Sequence, residues 1–234
     1  LDVDEAEEAM WLVQQLAPHV GAFKVGMQLF NSVGPDIVRQ IRNAGGRVFV
    51  DLKLHDIPNT VAGAARVIAR LGCFMYTVHA AGGSAMIQAA ADAVRDSQLE
   101  SGGAAELEGH GCAQASIMLA VTVLTSIDQH QLEQELLITG MPIRDVAVRL
   151  AKMAQVAGAG GVICSPHEIA AVRGACGPDF KVVTPGIRPV WYGSNDQKRI
   201  TTPADAVKLG ADYIVIGRPI TCAPHPASAA TRIA

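Results

Sequence analysis

Short apolar runs rich in β-branched residues recur along the chain at 22–25, 48–52, 75–78, 117–123, 161–164, 181–184 and 213–216. They are apolar at successive positions rather than alternating, which is the pattern of strands buried on both faces of a parallel sheet. Between them, 4–16, 35–43, 60–69, 84–96, 143–157, 166–173, 203–209 and 226–233 carry helical periodicity. Pro35, Pro166 and Pro203 stand where a first helical turn would begin and a missing N–H costs nothing. The opening Leu1-Asp2-Val3 reads as the end of one more strand, clipped at the N-terminus, with a few residues expected before it. Eight strands each followed by a helix make a parallel (β/α)8 TIM barrel, one domain over 1–234. A doubly wound open sheet is the structural alternative, because periodicity does not report closure.

Composition agrees with that reading. A chain of 234 residues with 50% hydrophobic, 18% charged and 4% aromatic residues has the balance of a globular α/β protein. The net charge of -3 and the lack of any Lys/Arg-rich run argue against a nucleic-acid partner. No apolar stretch approaches the ~20 residues that span a bilayer, so no membrane partner and a cytoplasmic location are expected. Cys73, Cys112, Cys164, Cys176 and Cys222 are odd in number and widely spaced, which reads as buried free thiols in a reducing compartment. There is no internal repeat, and residues 101–111, rich in Gly and Glu, read as a mobile excursion.

The densest chemistry is Asp51-Leu52-Lys53-Leu54-His55-Asp56-Ile57-Pro58-Asn59-Thr60, following the apolar Val48-Phe49-Val50. Side chains two apart on a strand share a face, so Asp51 and Lys53 should project together from its C-terminal end, with Asp56 on the loop beyond. Charges at the end of a buried strand cost desolvation energy unless they neutralise one another. The trio is therefore either a catalytic cluster able to expel an anion and deliver a proton, or a solvated salt-bridge network.

In a barrel the active site lies at the C-terminal strand ends, which selects further candidates. Lys24 closes the second strand and could pair with Asp2, as a core ion pair or as a grip on substrate hydroxyls. Thr122, Thr125 and Ser126 supply hydroxyls that could read a planar amide edge or simply form a turn. Pro185 and Arg188 close the seventh strand, and residues 191–197, ending at Gln197, form a loop long enough for a lid. Gly217 and Arg218 end the eighth strand, where a glycine admits a phosphate and a guanidinium grips it. His55, His79 and His167 lack paired ligand spacing, which argues against a metal centre. His55 reads as a loop residue turned from the cluster and His79 as one that orders its loop.

The decapeptide from Asp51 to Thr60 resembles the signature of the orotidine 5′-monophosphate decarboxylase family. Phe23 to Gly26, Thr122 to Ser126, Thr184 to Pro189, Asp196 to Arg199 and Ile216 to Pro219 resemble that family's further blocks, in order. The resemblance implies a cofactor-free, metal-free decarboxylation of orotidine 5′-monophosphate to UMP in pyrimidine biosynthesis. It implies Lys53 as proton donor to a C6 carbanion, Asp51 beside the departing carboxylate and Asp56 beside the lysine. It further implies a homodimer in which Asp56 and Thr60 serve the neighbouring subunit's site. Asp2 and Lys24 would contact the ribose, Thr125 and Ser126 the pyrimidine, and Pro185, Arg188, Gln197, Gly217 and Arg218 would complete the substrate site around the phosphate. A magnesium-dependent sugar-phosphate enzyme of the same superfamily shares an Asp-x-Lys-x-x-Asp core, but would need further carboxylates. A non-catalytic nucleotide sensor would not need Asp51, Lys53 and Asp56 intact.

Overall fold

The computed structural model describes residues 1–101, 116–192 and 201–234. Seven strands form one parallel sheet in sequential order: β1 (Phe23–Gly26), β2 (Val48–Leu54), β3 (Met75–His79), β4 (Ile117–Val121), β5 (Gly161–Ile163), β6 (Lys181–Thr184) and β7 (Tyr213–Ile214). Sequential parallel order with a helix in each crossover is the barrel arrangement expected from the sequence, and it excludes the reversed strand order of a doubly wound sheet. Residues 1–3 are not a strand. The Leu1 nitrogen donates to the Lys24 carbonyl of β1 at 2.8 Å without forming a ladder, so among the described residues the sheet has seven strands rather than eight. Asp2 nevertheless sits at the seam between the ends of β1 and β7, within about 4 Å of where a Cβ would stand on Gly26 and on Gly217.

The helices are α1 (Ala6–Leu16), α2 (Met27–Val33), α3 (Asp36–Asn43), α4 (Pro58–Arg70), α5 (Gly83–Ser101), α6 (Gln129–Gln134), α7 (Ile143–Val156), α8 (Ile169–Cys176), α9 (Pro203–Leu209), α10 (Arg218–Thr221) and α11 (Pro226–Thr231). The sequence reading missed α2, α6 and α10, which are too short to show a periodicity. The helix α6 is nonetheless well specified, since Asp128 and Gln131 form a reciprocal capping box.

Strand alternation divides the core into two layers. Val25, Val48, Val50, Tyr76, Val78, Met118, Val162 and Val182 pack outward against the helices. Phe49, Met75, Leu119 and Val183 point the other way and, with Phe74 and Tyr213, form an apolar plug inside the sheet. The Arg47 guanidinium lies 4.2 Å from the centroid of Phe74 and covers the plug from below. Two residues further along β2 and β3 the inward face becomes polar, with Asp51 above Phe49 and Thr77 above Met75. At Gly161 the strands approach so closely that a Cβ would stand 2.4 Å from the Lys181 carbonyl oxygen.

Cys73, Cys164 and Cys176 are buried free thiols as expected, and burial pushes the first two up to about 11 and about 12. Cys222 is exposed, contrary to the expectation, because it sits in the solvent-facing turn that ends α10. Cys112 and residues 102–111 of the expected excursion lie outside the described residues.

Glu168 is the one buried carboxylate away from the strand-end cluster among the described residues, 5% exposed. It caps the turn leading into α8, accepting the Ser165 N–H at 2.9 Å. Burial nevertheless raises its pKa from 4.5 to about 7. A raised folded value favours the protonated form, so this group's stabilisation is complete below pH 4.5 and is lost as pH rises through 7. Glu168→Gln keeps an acceptor for Ser165 and removes the charge. At fixed protein concentration it should exceed the wild type in urea resistance at pH 8 by on the order of 3 kcal/mol, and the two should converge near pH 4.5. A gap independent of pH would contradict this.

Candidate active site

The strand ends bring four charged side chains into one row. Asp2 Oδ1 lies 3.6 Å from Lys24 Nζ, Lys24 Nζ 3.5 Å from Asp51 Oδ2, and Asp51 Oδ2 3.0 Å from Lys53 Nζ. Asp51 is the buried member, and a carboxylate there would be costly without the two ammonium groups that converge on one of its oxygens. Gly26 leaves room for this row, since a Cβ there would lie 3.2 Å from Lys24 Nζ.

Asp51 and Lys53 do not meet through simple strand alternation. Val50 pairs with Tyr76 and Leu54 with Val78, so β2 advances four residues while β3 advances two. The intervening bulge holds Asp51 to Lys53, with Lys53 at φ 52, a left-handed conformation that costs a non-glycine residue roughly 1 to 2 kcal/mol. The other Asp51 oxygen accepts the Thr77 hydroxyl at 3.0 Å, and the same hydroxyl oxygen accepts the Lys53 N–H at 2.8 Å. Thr77 was missed from the sequence. Its signal was the single small polar residue on the inward face of Met75-Tyr76-Thr77-Val78-His79, level with Asp51.

Asp56 does not join this row within the chain. It is exposed, its Oδ1 accepts the Ile57 N–H at 2.6 Å, and no ion pair with Lys53 forms. Within one chain Asp56 therefore does not neutralise Lys53, and Lys24 is the second cation beside Asp51. Thr60, in the first turn of α4, is exposed as well.

His55 and His79 stack with ring centroids 5.2 Å apart and planes 22° apart. His79 Nδ1 accepts the Ala81 N–H at 3.3 Å, so the ring orders the turn before α5 as the sequence suggested. Burial lowers the pKa of His79, and the neighbouring His55 and Lys53 add to the effect. Among the described residues no three His, Cys, Asp or Glu side chains cluster as a metal site would require.

A cavity of about 550 Å³ opens between the edges of β1 and β7. Its polar end carries Asp2, Lys24, Pro185, Arg188, Gly217 and Arg218, while its deep end runs down the apolar seam to Phe49 and Met75. Only the polar end belongs to the charged row, which it reaches through Lys24. Arg188 is held by its own N–H, which donates to the Thr201 carbonyl at 3.2 Å. Thr125 and Ser126 lie exposed in a turn after β4 and do not line the cavity, and Thr122 donates its hydroxyl to the Ile163 carbonyl at 3.0 Å. Gln197 and residues 193–200 of the expected lid lie outside the described residues.

The profile described as "Orotidine 5'-phosphate decarboxylase / HUMPS family" matches residues 1–233. Orotidine 5′-phosphate decarboxylase of Syntrophomonas wolfei is 58% identical over 233 residues, covering 100% of this chain and 93% of that one. The protein of the same name from Moorella thermoacetica is 51% identical, covering 100% and 88%. The crystal structure of orotidine 5′-phosphate decarboxylase from Lactobacillus acidophilus superposes with a TM-score of 0.83 at 39% identity, covering 100% and 94%.

The depressed His79 pKa has a measurable consequence. Its neutral form is favoured in the folded chain, so stability is full above the unfolded value of about 6.5 and declines as pH falls below it. His79→Asn keeps an acceptor for Ala81 without a titrating ring. Between pH 7.5 and 5 its Tm should fall less than that of the wild type, and parallel Tm curves would contradict the assignment.

Proposed function

This chain belongs to the orotidine 5′-phosphate decarboxylase / HUMPS family, and from that premise we propose that it converts orotidine 5′-monophosphate to UMP and CO2, the last step of UMP biosynthesis. The observation that carries the reading is the Lys53 ammonium held 3.0 Å from a buried Asp51 carboxylate at the barrel mouth. The C6–carboxylate bond breaks, its electron pair stays on C6, and CO2 leaves. Lys53 then gives a proton to C6, and solvent restores its charge. No cofactor takes part in this sequence.

Asp51 places a fixed negative charge where the departing carboxylate sits, and the repulsion disappears as CO2 forms. The positive field of Lys24 and Lys53 supports the charge developing on C6, in a site whose groups need no reorganisation because they already neutralise one another. The reading assigns Asp2 and Lys24 to the ribose hydroxyls and Thr125 and Ser126 to the pyrimidine edge. Pro185, Arg188, Gln197, Gly217 and Arg218 take the phosphate end. The arginines at the polar end of the cavity support that last assignment.

We further propose a homodimer in which Asp56 and Thr60 complete the partner's site. What supports it is their exposure beside Ile57, itself 67% exposed, and the lack of any Asp56 contact with Lys53 within the chain. No helix among the described residues is long and apolar enough to cross a membrane. With free thiols at Cys73, Cys164, Cys176 and Cys222, a cytoplasmic location follows as part of the same proposal.

One experiment tests both parts. Loss of orotidine 5′-monophosphate is followed by ultraviolet absorbance in the presence of a metal chelator, with Lys53→Ala, Asp56→Ala and an equimolar refolded mixture of the two. Each variant alone should be nearly inactive. A mixed dimer regains one intact site, so the mixture should recover about a quarter of wild-type turnover. No recovery would contradict the shared site, and wild-type turnover abolished by the chelator would point instead to a magnesium-dependent reaction on sugar phosphates.

A further inference from the structure

We infer that the Thr77 hydroxyl is the positioning group of the catalytic bulge: it holds Asp51 and Lys53 in working geometry without touching substrate. This rests on the decarboxylase reading above and deepens it.

The bulge creates a specific problem. Its extra residues take the Lys53 amide out of register with the β3 backbone, and a buried or half-buried N–H left unpaired is costly. Thr77, 1% exposed on the facing strand, meets that need with its side chain, accepting the Lys53 N–H at 2.8 Å. A hydroxyl has one proton to give. The amide can only donate and the carboxylate can only accept, so the Thr77 proton must point to Asp51 Oδ1, 3.0 Å away. Both bonds of the hydroxyl are thereby fixed in direction, and one atom ties the backbone of the proton donor to the side chain of the neighbouring carboxylate.

The second consequence concerns strain. Lys53 at φ 52 persists only if the surroundings over-determine it. On its two sides it is fixed by the Thr77 oxygen at its amide and by Asp51 Oδ2 at its ammonium. Asp51 is in turn fixed at Oδ2 by Lys24 and Lys53 and at Oδ1 by Thr77. Without the hydroxyl, Asp51 retains its ion pairs but loses the contact that sets the rotation of its carboxylate. Ordinary core packing would be served equally by valine, which has the same shape and neither bond.

Thr77→Val and Thr77→Ser separate the two roles. In Thr77→Val, kcat should fall about 10- to 100-fold with KM changed less than about threefold, because binding groups stay in place while the reacting pair is misaligned. Thr77→Ser keeps the hydroxyl and should stay within about threefold of wild-type kcat. Independently of turnover, amide hydrogen exchange at Lys53 should be slow in the wild type and in Thr77→Ser and much faster in Thr77→Val. Wild-type kcat in Thr77→Val would overturn the inference, as would a loss in Thr77→Ser equal to that in Thr77→Val. Unchanged Lys53 exchange in a folded Thr77→Val would do the same. A wild-type protein inactive on orotidine 5′-monophosphate would instead refute the proposed reaction, and Lys53 exchange would still decide the role of Thr77.

Discussion

The geometry of the site depends on one buried carboxylate. Asp51 receives three donors, the ammonium groups of Lys24 and Lys53 and the hydroxyl of Thr77, supplied by β1, its own strand and β3. A charge at 9% residue exposure is tolerable only with such partners, so the strands that carry them must stay in register. Adjacent parallel strands in sequential order deliver those partners to one end of the sheet, above the apolar plug. The fold and the electrostatics are thus one arrangement: loosening either leaves an uncompensated charge.

That arrangement also explains why strain is stored where it is. A regular β2 would send Asp51 and Lys53 up the same face with ladder bonds intact. The bulge breaks the ladder, rotates Lys53 into the left-handed region and brings its ammonium back onto Asp51. Backbone strain of this kind is characteristic of places where a reactive group must be held in one orientation.

Much of this was legible in the sequence because residue type and period carried it. Continuous apolar runs marked the strands, and Asp2, Lys24, Asp51 and Lys53 announced themselves as charges at strand ends. What was not legible depended on pairing between distant segments. The bulge is a mismatch between β2 and β3, invisible in either alone, and Thr77 matters only because β3 lies beside it. Asp56 follows Lys53 closely in sequence, yet its loop turns outward and its carboxylate caps Ile57. The hydroxyls of Thr125 and Ser126 stand exposed in the turn before α6, so what they meet is set by a ligand rather than by any pairing within the chain.

The central claim is that Lys53 delivers the proton to C6, and microscopic reversibility offers a direct test. UMP incubated with the protein in D2O should exchange its C6 hydrogen for deuterium, followed by proton NMR, because a lysine that protonates the carbanion must also regenerate it. Exchange that disappears in Lys53→Ala, with UMP still bound, is the expected result; exchange undiminished without Lys53 would contradict its role as the donor.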